Sequence, residues 1–278
     1  MSARPRDGID LHLHSTASDG LLAPAALVRR AAKEGLGVLS LTDHDTTAGL
    51  EEAAWAAKDE GIRLIPGIEL TCRVRAGALG TVHVLGYGVD PQAPALADVG
   101  RRNRAGKRAQ VRTIVDDLRT QERVDIPWEE ITAGRDEDAY LGRHHVAAAL
   151  VRRGLARSRR KAFRRYLRSE RVAEAEIVAA DEAVAAIHAA GGISVLAHPT
   201  GLDLAKHLKP LLGLGLRGLE CYRMRQAPAH RERLLRLAEQ HGLLVGGGSD
   251  WHGHHPEPPL GTWRPAPPHL TGLLGALS

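Results

Sequence analysis

The chain has 278 residues, 43% of them apolar and 26% charged; this is the balance of a folded globular protein, which excludes disordered and fibrous classes and leaves room for one large α/β domain or two modest ones. A formal net charge of +5 favours anionic partners, either phosphorylated small molecules or nucleic acid. A single Phe among 3% aromatic residues calls for an aliphatic core and leaves few stacking platforms for single-stranded bases.

Taken in chain order, the segment Met1 to Asp7 lacks the apolar stretch of a signal peptide and leads into a first predicted strand at Gly8 to His14. Further apolar, β-branched segments predict strands at Val38 to Thr42, Ile62 to Thr71, Thr81 to Gly88, Ile193 to Ala197, Leu216 to Tyr222 and Leu243 to Gly248. Helical spacing predicts helices at Pro24 to Glu34, Gly49 to Glu60, Asp181 to Ala190 and Ala229 to His241. This alternation argues for a mainly parallel α/β sheet or barrel. One connection differs: only a turn around Ala76 to Gly80 fits between Glu69 and His83, so these strands are expected to form an antiparallel hairpin.

The alternation breaks between about Arg101 and Ala180, where the sequence turns polar, Arg-rich and helical. Residues 1–100 and 181–278 therefore read as a catalytic scaffold, and 101–180 as an inserted helical subdomain expected to cover the site and help select substrate. Within it, Arg152, Arg153, Arg157, Arg159, Arg160, Lys161, Arg164, Arg165, Arg168 and Arg171 crowd one short stretch. This stretch is either a solvated helix face or a phosphate-attracting surface. Cys72 and Cys221 are too few for a disulfide framework, and no apolar run is long enough to span a bilayer. The expectation is a soluble cytoplasmic protein with no membrane attachment. The Pro-rich tail, Pro256 to Pro268, carries no heptad, and no obligate protein partner is evident.

The residues that carry chemistry sit at the predicted strand ends. His12 and His14 are two apart on the first strand and Asp19 follows in a loop. A lone His-x-His pair is weak evidence, since buried histidines are often structural. It is followed by Thr42-Asp43-His44-Asp45, by Pro66-Gly67-Ile68-Glu69, by His83, by Ala197-His198-Pro199 and by Gly248-Ser249-Asp250-Trp251-His252-Gly253. Each element has a bland reading, such as a helix cap for Asp43 or Asp250, a surface ion pair for Glu69, or an interior hydrogen bond for His198. The bland readings do not explain the set, because ligands in parallel α/β folds gather outside the carboxyl ends of strands. Nitrogen and oxygen donors without thiolates suit a divalent cluster of Mn, Fe or Zn rather than a closed structural zinc site. Such a cluster can acidify a bridging water to hydroxide, hold phosphate oxygens and stabilise a leaving alkoxide.

In this order the motifs resemble the PHP (polymerase and histidinol phosphatase) phosphoesterases, across nearly the whole chain outside the insertion. The resemblance implies a distorted seven-stranded (β/α) barrel with a trinuclear site, manganese being the first candidate. By the family pattern His12, His14, Glu69 and Asp250 hold one ion, Asp19, His44 and His252 a second, and Glu69, His83 and His198 a third. Leu141-Gly142-Arg143-His144-His145 and the insertion look most like the branch of nucleoside 3′,5′-bisphosphate phosphatases and 5′-to-3′ exoribonucleases, with His144 where that branch often carries Pro. In that branch the Gly-Arg-x-His element lies near the site, which makes Arg143 and His145 candidate substrate contacts, and an Arg suits phosphate because its planar fork donates two hydrogen bonds. The expected partner is a phosphorylated nucleotide or short RNA, hydrolysed by a metal-dependent phosphoesterase. The alternatives are a histidinol-phosphate phosphatase, against which the insertion counts, and a non-catalytic PHP binding module, against which the complete ligand set counts.

Overall fold

A computed structural model describes residues 6–74, 81–168, 175–199, 204–254, 257–263, 265 and 267–278. The predicted turn at Ala76 to Gly80, Arg171 of the Arg-rich stretch and Pro256 of the tail lie outside the described residues. The strands are β1 (Gly8–Leu13), β2 (Leu36–Leu41), β3 (Arg63–Arg73), β4 (Thr81–Tyr87), β5 (Ile193–Leu196), β6 (Gly218–Arg223) and β7 (Leu244–Gly248). The helices are α1 (Pro24–Lys33), α2 (Leu50–Glu60), α3 (Pro94–Gln121), α4 (Trp128–Thr132), α5 (Arg143–Arg152), α6 (Arg159–Tyr166), α7 (Ala180–Ala189), α8 (Leu204–Gly213), α9 (Pro228–Gln240) and α10 (Thr271–Ala276).

The strands lie side by side in chain order from β1 to β7. Neighbours run parallel except at β4, which is antiparallel to both β3 and β5. The chain beyond β7 then returns to β1: the Asp250 N–H donates to the His12 carbonyl at 2.9 Å and the His14 N–H to the Trp251 carbonyl at 3.1 Å. The result is the distorted seven-stranded (β/α) barrel implied by the motifs. The return is tight enough that a Cβ on Gly248 would stand 2.3 Å from the His12 Cβ, so only glycine fits there.

Chain packing divides into two compact units, Met1–Gly100 with Val178–Ser278, and Arg101–Ile177. In the first, α1 starts on Pro24, whose fixed φ suits a first helical position, and buries Leu27, Val28, Ala31 and Ala32 at helical spacing. Helix α2 stops at Gly61, which takes the left-handed conformation at φ 64°. On β3 to β5, Ile68, Leu70, Val84 and Leu196 join the core under α7, α8 and α9. The alternate residues Ile65, Leu85, Tyr87 and Val195 form a separate apolar layer with Leu270 and Leu273. Period two places Glu69 and His83 on that second face, which gives a polar layer above an apolar floor.

One expectation needs correction. Glu69 does not sit at a strand end: β3 runs on to Arg73 because residues 67–73 pair with β4 in antiparallel register, Thr71 opposite His83. Since β4 runs antiparallel, its third residue, His83, comes beside Glu69. Helix α8 was not expected from the sequence.

In the second unit, α3 supplies Val111, Ile114 and Leu118 to a core shared with Val146, Ala147, Leu150, Ala162 and Tyr166. Arg153 forks onto Glu130, Nε to Oε2 at 2.9 Å and Nη2 to Oε1 at 3.0 Å.

Candidate metal centre

Glu69 is fully buried and ringed by imidazoles. Its Oε2 lies 3.1 Å from His12 Nε2, 3.2 Å from His14 Nε2 and 3.1 Å from His44 Nδ1. Its Oε1 lies 2.9 Å from His83 Nδ1 and 2.8 Å from His198 Nε2. A carboxylate has about four lone-pair directions, so five imidazole nitrogens around one carboxylate exceed what hydrogen bonding alone satisfies. Both ring nitrogens of His14 are buried with no hydrogen-bond partner, and its Nε2 faces Glu69 and Asp250 oxygens at 3.2 and 3.4 Å. Converging lone pairs of this kind fit metal ions between them.

Three groups of donor atoms lie mutually within 4.8 Å: His12, His14, Glu69 and Asp250; His14, Asp19, His44 and His252; and His44, Glu69 and His83. The first is the set expected for one ion. The second adds His14 to the expected trio. In the third, His44 stands where His198 was expected, although His198 Nε2 is only 3.2 Å from His83 Nδ1.

Several residues that the sequence reading passed over hold this arrangement. Glu220 on β6 is fully buried; its Oε1 accepts from His12 Nδ1 at 2.8 Å and its Oε2 from the His198 backbone N–H at 2.6 Å. With the proton on Nδ1, the Nε2 lone pair of His12 is turned to the cluster, which is how a metal-binding imidazole is usually oriented. The same logic applies at His252, whose Nδ1 donates to the Asp250 carbonyl at 2.9 Å and whose Nε2 faces Asp19 at 3.3 Å. Arg223 Nη2 donates to Asp250 Oδ2 at 2.8 Å.

Asp43 and Asp45, beside His44, serve as clamps. Asp43 accepts from the Ser15 N–H and from the hydroxyls of Ser15 and Ser18, at 2.8, 2.6 and 2.6 Å, and so folds the loop that carries Asp19. Asp45 accepts from the Thr71 N–H and hydroxyl at 2.8 and 2.9 Å. Asp10 ties β1 to β7 by accepting from the Ser249 N–H at 2.8 Å. Asp45, His198 and Asp250 adopt φ of 53°, 26° and 58°, a region that costs a non-glycine residue energy and is typically retained where function needs it.

Electrostatics follow from this crowding. Burial alone would push the His12 imidazolium down, but Glu69, Glu220 and Asp250 overcome it and hold His12 well above the ordinary range. His252 is likewise buried, yet Asp19 and Asp250 push it up to about 10. At His44 burial wins over Glu69 and Asp19, and His14 and His83 add to it, driving it well below. Burial opposes ionisation of Glu69 and Asp250, but the surrounding histidines keep both carboxyls well below the usual range. A cluster that gathers protons in this way favours cations in their place.

Arg143 and His145 belong to the second unit, at the start of α5. The Gly142 N–H donates to His145 Nδ1 at 3.1 Å, capping the helix, and the Arg143 guanidinium lies 5.8 Å from the centre of the Phe163 ring.

The profile of the PHP domain matches residues 10–125. The chain is 36% identical over 250 residues to a 5′-3′ exoribonuclease of Haemophilus influenzae, covering 87% of this chain and 89% of that protein. It is 34% identical over 251 residues to a 3′,5′-nucleoside bisphosphate phosphatase of Chromobacterium violaceum, covering 88% and 87%. Among solved structures, one designated a metal-dependent phosphoesterase from Bifidobacterium adolescentis superposes with a TM-score of 0.86 at 32% identity, over 98% of this chain and 97% of that one. No described helix is long and apolar enough to cross a membrane.

Proposed function

Because this chain belongs to the PHP domain family and is a metal-dependent phosphoesterase, we propose that it hydrolyses phosphate esters of nucleotides and short oligonucleotides. The reaction is removal of the 3′-phosphate from a 3′,5′-bisphosphonucleoside or stepwise release of nucleotides from the 5′ end of RNA. The observation that carries this reading is Glu69, one buried carboxylate within 3.2 Å of five imidazole nitrogens. Relatives named for both activities match nearly the full chain.

His12, His14, Asp19, His44, Glu69, His83, His198, Asp250 and His252 would hold three divalent ions, manganese first among the candidates, which would supply charge neutralisation for phosphate and a more acidic water. The chain's own part is orientation. Glu220 keeps the His12 proton on Nδ1, and the Asp250 carbonyl keeps the His252 proton on Nδ1. Arg223 fixes Asp250 by its second oxygen. Arg143 donates its planar fork to a substrate phosphate, with His145 beside it on the first turn of α5. Two buried free cysteines suit the reducing cytoplasm as its compartment.

The test is hydrolysis by manganese-loaded protein of 3′,5′-bisphosphoadenosine, 5′-phosphorylated RNA of a few nucleotides, and histidinol phosphate. Phosphate from the first or nucleotides from the second, with none from histidinol phosphate, is the expected result. Release from histidinol phosphate alone, or from none of the three, overturns the proposal.

A further inference from the structure

The second unit carries an open cavity of about 400 Å³ between the end of α5 and α6, floored by Leu155 and Ala156 and lined by Arg157, Lys161, Arg164 and Arg165. All four cations are exposed, and among the described residues none of them has a carboxylate partner. The contrast within the same unit is plain. Arg153 is forked onto Glu130 and Arg119 pairs with Asp116. From Ala139 to Ser169 the chain has no Asp or Glu at all, so the segment that lines this cavity supplies no carboxylate to offset its charge.

Lys161, Arg164 and Arg165 follow the i, i+3, i+4 spacing of one helix face, and Arg157 joins them from the turn before α6. The opposite, apolar side of α6 is already spent, since Ala162 and Tyr166 are buried in the core of this unit. Among the described residues the large exposed apolar side chains, Leu21, Trp55 and Leu214, all belong to the first unit. A helix that binds a bilayer needs an apolar face to insert, and α6 has none left to offer. A row of mutually repelling cations around a cavity with only Leu155 and Ala156 as apolar side chains in its lining suits a ligand with regularly spaced negative charge and a solvated backbone.

We propose that this cavity is a binding site for the phosphodiester backbone of single-stranded RNA, an anchor separate from the residues that hold metal. The choice of RNA rests on the nucleotide reading above; the site itself rests on the cavity and its positive charge. With few aromatic side chains, contact is through phosphates, so binding is sequence-tolerant and salt-sensitive.

Fluorescence anisotropy with 3′-fluorescein-labelled RNA of 4, 8 and 16 nucleotides tests this on the full chain, in EDTA so that no hydrolysis occurs. Failure of the hydrolysis assay therefore leaves this readout standing. The native protein is expected to bind more tightly as length rises. The combined variant R157E, K161E, R164E and R165E loses that gain, with at least about tenfold weaker binding of the 16-mer and a salt slope shallower by roughly 3. A control reversing Arg29, Lys33, Lys58 and Arg236, exposed on α1, α2 and α9, changes net charge equally and is expected to lose far less. The Gln variants at the same four cavity positions reproduce the loss in weaker form should the Glu variant fail to fold. Equal losses in the cavity and control variants overturn the proposal, as does binding to anionic phosphatidylglycerol vesicles with no binding to RNA.

Discussion

Arg223 donates to Oδ2 of Asp250 at 2.8 Å, while Oδ1 of the same carboxylate faces His12 and His14 at 3.5 and 3.4 Å. One oxygen is thus anchored from outside and the other presented to the cluster. Outer partners of this kind fix the direction of a metal-binding carboxylate, and removing one typically costs tenfold to a hundredfold in metal affinity or activity. Arg223→Ala is expected to weaken metal binding and kcat by about that factor, with Arg223→Lys retaining part because a single donor can still reach Oδ2. Metal affinity measured by competition with a chelating dye checks this, and an unchanged affinity in the Ala variant would show the pair to be incidental.

Glu220 links two strand ends at once, through the His12 ring and the His198 N–H. Glu220→Ala leaves both donors buried without an acceptor, at a cost of roughly 1 to 3 kcal/mol each, and frees the His12 ring to turn. Glu220→Gln keeps one acceptor oxygen. The expected order of thermal stability and of metal affinity is wild type, then Gln, then Ala. A Gln variant as impaired as the Ala variant would point to the charge of Glu220, and not its geometry, as what matters.

The readability of this site from the sequence follows from how each residue is placed. Much of the cluster around Glu69 was legible because polar residues interrupt apolar runs in segments such as His12-Leu13-His14 and Thr42-Asp43-His44. All seven strands were legible to within two residues from their apolar, β-branched content, and the hairpin of β3 with β4 from the short spacing. Glu220 was harder, because Leu219-Glu220-Cys221 reads as an ordinary strand, and only its contacts with the His12 ring and the His198 N–H show which way it faces. A carboxylate inside an apolar strand was the available signal. Arg223 gave none, since an Arg at a strand end is common on surfaces. Only the last two residues of β3, Cys72 and Arg73, went beyond the expected strand, carried on by antiparallel pairing with Val82 and Thr81 of β4. Helix α8 was missed through Gly213 and Pro210 near its end, residues that read as helix breakers.

Both thiols are fully buried, and burial pushes Cys72 far up and Cys221 up to about 12. A raised thiol gives thiolate only as pH climbs toward the raised value, so at pH 8 both thiols stay protonated. Native protein at pH 8 is expected to consume no Ellman's reagent within minutes, and two equivalents per chain after denaturation in guanidinium. Rapid reaction of one thiol in the native state would show that its strand opens.

The most direct measurement is a titration of chelator-treated protein with Mn²⁺, following bound metal per chain by mass spectrometry alongside release of phosphate from 3′,5′-bisphosphoadenosine. The donor groups around Glu69 predict about three ions per chain, phosphate release that rises with occupancy, and loss of both on renewed chelation. Binding of less than one ion per chain, or phosphate release that persists without metal, would contradict a phosphoesterase built on Glu69 and its ring of histidines.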